Sequence, residues 1–114
     1  YENEFSQLLT TAINLAQGEK ERVVVLSIPD YAFTPYGQTT SNPQQVSDEL
    51  DEYNTYAKEV TENREVKFLN ITDITRRGIT EPNLVASDGL HPSEDAYAEF
   101  VDRLLLIVNT VVKD

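Results

Sequence analysis

Apolar residues recur along residues 3–17 at helical spacing. Phe5, Leu8, Leu9, Ala12, Ile13 and Ala16 form one continuous stripe, and Gly18 then offers a left-handed stop. The run Arg22-Val23-Val24-Val25-Leu26-Ser27-Ile28 is β-branched, apolar at successive positions and closed by Pro29. Lack of alternation predicts a strand covered on both faces, as in a parallel sheet. Residues 29–42 carry Pro29, Asp30, Pro35, Gly37, Ser41 and Asn42 and read as a long loop. Asn42-Pro43 has the form of a helix cap followed by a first-turn proline. Val46, Leu50, Tyr53, Ala57 and Val60 keep a helical repeat and predict a helix over 43–62.

Val66-Lys67-Phe68-Leu69-Asn70-Ile71 predicts a second strand, and residues 72–92, with Gly78, Pro82, Gly89 and Pro92, read as irregular. Ser93 caps a last helix whose first turn carries Glu94 and Asp95, favourable at the positive end of the helix dipole. Tyr97, Phe100, Val101, Leu104, Leu105, Val108 and Val111 form its apolar face. Leu106 and Ile107 widen that face, which predicts burial on more than one side.

The predicted order is helix, strand, helix, strand, helix, an α/β fold. A strand–helix–strand succession calls for a right-handed crossover and a parallel pair. No internal repeat or linker divides residues 1–114, which read as a portion of a single domain. Two parallel strands do not make a stable sheet alone, and their outer edges stay unpaired. Further strands are therefore expected from a missing N-terminal segment, a second chain or pairing between copies.

Composition narrows the function classes. With 39% hydrophobic residues in 114, a core is feasible and wholesale disorder is not. Twenty acidic residues against nine basic leave a net charge of −11. That charge repels phosphate backbones and anionic membrane surfaces, so no nucleic acid partner is expected. No apolar run approaches the ~18 residues of a membrane span. The absence of cysteine excludes disulfides, thiolate metal sites and a cysteine nucleophile. Methionine is also absent, and Tyr1-Glu2-Asn3-Glu4 lacks the features of a signal peptide, so a processed or excised chain is expected.

The single histidine, His91, lies in Ala86-Ser87-Asp88-Gly89-Leu90-His91-Pro92-Ser93. Gly89 lets the backbone turn tightly enough for the Asp88 carboxylate to reach the imidazole Nδ1, the orienting role of a carboxylate in a catalytic triad. Nε2 would then face outward as a general base. For an arbitrary Asp-x-x-His, a surface histidine with an incidental local bond is the commoner explanation. Placement in a loop between a strand and a helix, where function concentrates, favours the catalytic reading here.

Weaker groupings are a metal site from Asp88, His91 and Asp95, and an exposed Arg76-Arg77 pair near Gly78. Asp48, Glu49, Asp51 and Glu52 read as a solvated helix face. Asp30, Tyr31 and Tyr36 follow the carboxyl end of a strand, where open α/β sheets bind ligands. Their aromatics fit a sugar or acyl platform and fit turn packing equally well.

Asp88-Gly89-Leu90-His91-Pro92-Ser93, followed by Ala96-Tyr97 in a terminal helix, resembles the last block of the SGNH (GDSL-type) hydrolases. The segment from Arg22 to Tyr31 is similar to a central strand and its following loop in that family. The resemblance covers most of the chain, in the order of the family's C-terminal half. It implies part of a flavodoxin-like three-layer α/β/α sandwich with parallel strands. It also implies a serine ester hydrolase acting on a small-molecule ester such as an acylated carbohydrate or a lipid. His91 matches the catalytic histidine and Asp88 the triad acid, and no metal or organic cofactor is implied. The family's Gly-Asp-Ser and Gly-x-Asn-Asp motifs do not occur, and Ser27, Ser87 and Ser93 lack the local signature of the nucleophile. The expectation is a chain that holds base and orienting acid while the nucleophile and oxyanion hole come from elsewhere, and that is inactive alone. The rival expectation is a non-catalytic acidic interaction module, for which Asp88 and His91 need not touch.

Overall fold

The structure is a computed structural model describing the backbone of residues 2–112 and the side chains of residues 2–107. Val108 and Val111, expected on the last helix's apolar face, therefore lie outside the described side chains.

The first helix, α1, spans Glu2–Leu15. It ends two residues before the predicted stretch 3–17 does. Gln17 already has φ +57° and Gly18 follows at +78°. Gly18 N donates to the Ile13 carbonyl (2.9 Å) and Gln17 N to that of Asn14 (3.0 Å), which satisfies the last turn. Strand β1 is Val24–Leu26, and helix α2 is Pro43–Asn63. As predicted, Asn42 caps α2: its Oδ1 accepts from Gln45 N at 3.1 Å, with Pro43 in the first turn. Strand β2 is Lys67–Leu69. A one-turn helix, α3 (Thr72–Thr75), lies in the stretch read as irregular, and the last helix, α4, is Glu94–Val112. Ser93 Oγ accepts from Ala96 N (3.2 Å) and caps α4.

β1 and β2 pair in parallel, Val24 opposite Lys67, Val25 opposite Phe68 and Leu26 opposite Leu69. The expected α/β class and parallel pair are therefore present. Side chains alternate across a strand, so the two faces take different partners. Val23, Val25 and Val66 pack with Leu9 and Ile13 of α1 and Val60 of α2. Val24 and Leu69 pack on the other side with Ile74, Leu84, and Phe100, Leu104 and Ile107 of α4. Helices thus cover the two strands from both sides. Ile71 and Ile74, at 1% and 0% exposure, sit at the centre of the second cluster. Burying each contributes about 1.5–3 kcal/mol.

Some sequence expectations need correction. The strands have three residues each, shorter than the runs that predicted them. Leu26, expected under cover, is 46% exposed. Over its described side chains α4 is not buried on several sides: Ala96 and Phe100 are buried, while Tyr97, Val101, Leu105 and Leu106 face solvent. The apolar stripe of α1 is likewise incomplete, with Leu8 exposed. Along α2 the buried positions are Ser47, Ala57 and Thr61, and Tyr53 stands at the surface. In each case the apolar pattern is wider than the cover these residues provide.

The loops beyond the strands are held by polar contacts. Ser27, 4% exposed, accepts from the amides of Ile71 (2.8 Å) and Thr72 (3.1 Å) and from Thr72 Oγ1 (2.7 Å). It donates to Asn70 Oδ1 (3.1 Å). One hydroxyl thus joins the end of β1 to the start of α3. Arg103 of α4 grips both Asp73 carboxylate oxygens (2.6 and 2.7 Å) and the Asn70 carbonyl (2.8 Å). Its hydrogen bonds hold the Asp73 carboxyl below the usual range.

Candidate active site

The Asp88–His91 loop leaves from the ends of a short antiparallel bridge between Val85 and Pro92. Ala86 N donates to the His91 carbonyl (2.8 Å) and Ser93 N to that of Leu84 (3.0 Å), closing the neck of the loop. Gly89 turns it, at φ +74°, where a side chain is strained. The turn folds Asp88 back: its Oδ1 accepts from Leu90 N (2.9 Å) and His91 N (3.0 Å). Its Oδ2 is hydrogen-bonded to His91 Nδ1. The bond from His91 and the two amides together lower the Asp88 carboxyl to about 2. Asp88 is therefore a carboxylate throughout the neutral range, and the imidazole proton it accepts belongs on Nδ1. Nε2 has no hydrogen-bond partner among the described residues.

The His91 side chain is 63% exposed. It stands beside a shallow depression bordered by Asp30, Tyr31, Thr34, Thr75 and Pro92. Tyr31 meets the imidazole edge-on, with ring centroids 6.3 Å apart and planes at 76°. The Tyr36 amide donates to the Gly89 carbonyl (3.0 Å) and ties the loop after β1 to the histidine loop.

Other sequence candidates end up elsewhere. Asp95 accepts from Asn83 (3.2 Å) and takes no part in the His91 contacts. Among the described residues no group of three histidine or acidic side chains forms a metal-binding cluster. Arg76 and Arg77 are not a free exposed pair. Arg76 bonds Asp30 (3.0 Å) and Asp51 (2.6 Å), so Asp51 is more than a solvated charge. Arg77 bonds Glu81 and Glu99. Asp48, Glu49 and Glu52 are exposed, as expected. Ser27 is buried and engaged, and Ser93 is the α4 cap that also donates to the Asn83 carbonyl (2.5 Å). Neither hydroxyl is free to attack a carbonyl. Ser87 is exposed.

Sequence reasoning missed the role of Asp30. It is 1% exposed, and its Oδ2 accepts from Ser47 Oγ (2.6 Å) and Arg76 Nε (3.0 Å). Its Oδ1 accepts from Ala32 N (2.9 Å), capping the 3-10 turn Tyr31–Phe33. The available signal was a lone aspartate after a strand, read with the aromatics of its loop.

The arrangement can hold an imidazole in one tautomer and present its other nitrogen to a proton on a reacting hydroxyl or water. Comparisons with curated proteins and with solved structures give no match. The family model described as GDSL-like Lipase/Acylhydrolase matches residues 1–104, nearly the whole chain and including the Asp88–His91 loop. The chain therefore belongs to the GDSL-like lipase/acylhydrolase family, whose chemistry is hydrolysis of the esterase and lipase type.

Proposed function

We propose that this chain carries the acid–base half of a serine ester hydrolase, with His91 as general base and Asp88 as its orienting carboxylate. One observation carries the reading: Asp88 engages His91 Nδ1 with one oxygen and two loop amides with the other, leaving Nε2 free. A carboxylate so constrained fixes the tautomer and stabilises the imidazolium formed when Nε2 takes the proton of the attacking serine. The serine oxygen then adds to the ester carbonyl, the alcohol leaves with the proton returned by His91, and water releases the acyl group by the same route.

The serine and the oxyanion-hole donors come from polypeptide outside these residues. The sequence has no Gly-Asp-Ser or Gly-x-Asn-Asp motif, and Ser27 and Ser93 are engaged in structural bonds. The same polypeptide completes the sheet along the open edge of β1. Ser27 N bonds the Leu69 carbonyl across the β1–β2 seam. By the alternation of a parallel ladder, the amides of Val24 and Leu26 point away from β2. Leu26 and the solvent-facing Tyr97, Val101 and Leu105 supply apolar surface for the incoming layer. The substrate is a small-molecule ester, with an acylated carbohydrate or a lipid as the classes to screen.

Intact-mass spectrometry of the natural assembly, followed by an activated acetyl ester assay, tests this. The expected result is a companion polypeptide bearing the nucleophile and hydrolysis that His91→Ala removes by about three orders of magnitude or more. Full activity in the His91→Ala assembly, or saturable His91-dependent turnover by the 114-residue chain alone, overturns it.

A further inference from the structure

A base needs its ring held as well as one of its nitrogens. Asp88 fixes Nδ1 of His91, but a single hydrogen bond leaves the imidazole free to swing about that contact. With the side chain 63% exposed, little else packs on it. Among the described residues the ring that does is Tyr31, edge-on at 6.3 Å between centroids.

The backbone carrying Tyr31 is held more firmly than a surface loop needs. It begins at Asp30, whose carboxylate is buried among Ser47 of α2, Arg76 beyond α3 and the Ala32 amide. The Asp30 amide itself donates to Thr75 Oγ1 of α3 (2.8 Å). Thr34 Oγ1 donates to the Tyr31 carbonyl (2.7 Å) and accepts from Gly37 N (2.9 Å). Gly37 lies so close that a Cβ there would overlap that same carbonyl. Gln38 Nε2 donates to the Ala32 carbonyl (2.6 Å). Residues brought from α2, from α3 and from the loop itself thus converge on one 3-10 turn, and the outward product of that turn is the ring facing His91.

We propose that Tyr31 is a positioning residue for His91, with the buried Asp30–Ser47–Arg76 cluster as its anchor. The proposal rests on His91 being the base. The contact holds the imidazole in the orientation that keeps Nδ1 toward Asp88 and Nε2 toward the site. The role belongs to the aromatic ring and not to the hydroxyl, since the contact is ring to ring.

The test uses the natural assembly with 15N-histidine carried only by this chain, in which His91 is the only histidine, so its ring signals are unambiguous. Long-range proton–nitrogen correlation at neutral pH reads the tautomer of the 15N-labelled ring. The native chain is expected to show Nδ1 protonated. Tyr31→Phe keeps that pattern. Tyr31→Leu keeps bulk without a ring and lowers the tautomer preference about two- to tenfold, the range of an edge-to-face pair. Far-UV circular dichroism confirms that each variant is folded. An unchanged tautomer population in folded Tyr31→Leu overturns the proposal, even if ring protons move, because proton shifts alone report proximity. Asp88→Asn separates the two readings. If it leaves the tautomer untouched, the dyad itself is wrong; if it alters the tautomer while Tyr31→Leu does not, only the role of Tyr31 falls.

Discussion

Replacing Asp30 by alanine removes the acceptor at the centre of a buried cluster. Ser47 Oγ, Arg76 Nε and the Ala32 amide each lose a partner at 2.6, 3.0 and 2.9 Å. Losing a hydrogen bond to a charged group costs about 1.5–3 kcal/mol, and leaving a buried donor unsatisfied costs about 1–3 kcal/mol. A fully buried ion pair broken on one side costs about 3–5 kcal/mol. The Arg76 side chain is 31% exposed and keeps Asp51, so its share falls well below that limit. The expected total is about 3 kcal/mol for Asp30→Ala. Asp30→Asn keeps the shape and the acceptor for Ala32 but turns one oxygen into a donor facing two donors. About 2 kcal/mol is expected there. The chain has no tryptophan, so urea unfolding is followed by far-UV circular dichroism. The midpoint should fall at unchanged slope, and the variants should rank native, Asn, Ala. An Asp30→Ala chain within 1 kcal/mol of the native one (about that margin being the noise of the method) would refute the anchoring role of the carboxylate.

Thr61 of α2 is fully buried, and its hydroxyl has no hydrogen-bond partner among the described residues. Thr61→Val should therefore stabilise the chain by about 1 kcal/mol, read from the same urea midpoint. Gly37→Ala forces the loop from the Tyr31 carbonyl and should lower stability by about 2 kcal/mol, with loss of the Tyr31–His91 ring contact in the nuclear Overhauser spectrum. Asp88 titrates in the folded chain at about 2, below its ordinary 3.8. Its contribution is thus complete above the ordinary value and disappears as pH falls toward 2, so the Asp88 carboxyl carbon resonance should hold its ionised position at pH 3.8. In the assembled enzyme, Asp88→Ala should reduce kcat less than His91→Ala, since removing the orienter leaves the base in place.

The order of the three long helices and two strands and the Asp88–His91 turn were legible because both rest on local signals, whereas the one-turn α3 was not. Helical spacing marked α1, α2 and α4, and a glycine between an acid and a histidine marked a tight turn. The Asp30 cluster was not legible. Its members lie on separate segments, and Ser47, Arg76 and Asp30 carry no shared spacing that brings them together. For the same reason Arg76 and Arg77 read as exposed: Asp51 and Glu99 become their neighbours only after folding, while the Arg77–Glu81 pair, four residues apart, was a local signal left unread. Leu26 and one side of α4 read as buried, yet no described residue covers them. Apolar pattern states what a side chain prefers, whereas exposure depends on which segments reach it.

The bridge between Val85 and Pro92 closes a loop of a few residues around the acid and the histidine. Closing so short a loop loses little chain entropy, and loops of about this size close in roughly 10–100 ns. The two groups also lie within one turn of each other, so their meeting requires no long-range docking of helix on strand. Asp88 and His91 should therefore find each other early as the chain folds, before the slower pairing of β1 with β2 is complete. In native-state hydrogen exchange, the amides of Leu90 and His91 should then open by local fraying of the loop, independently of the unfolding event that releases the amides of the sheet.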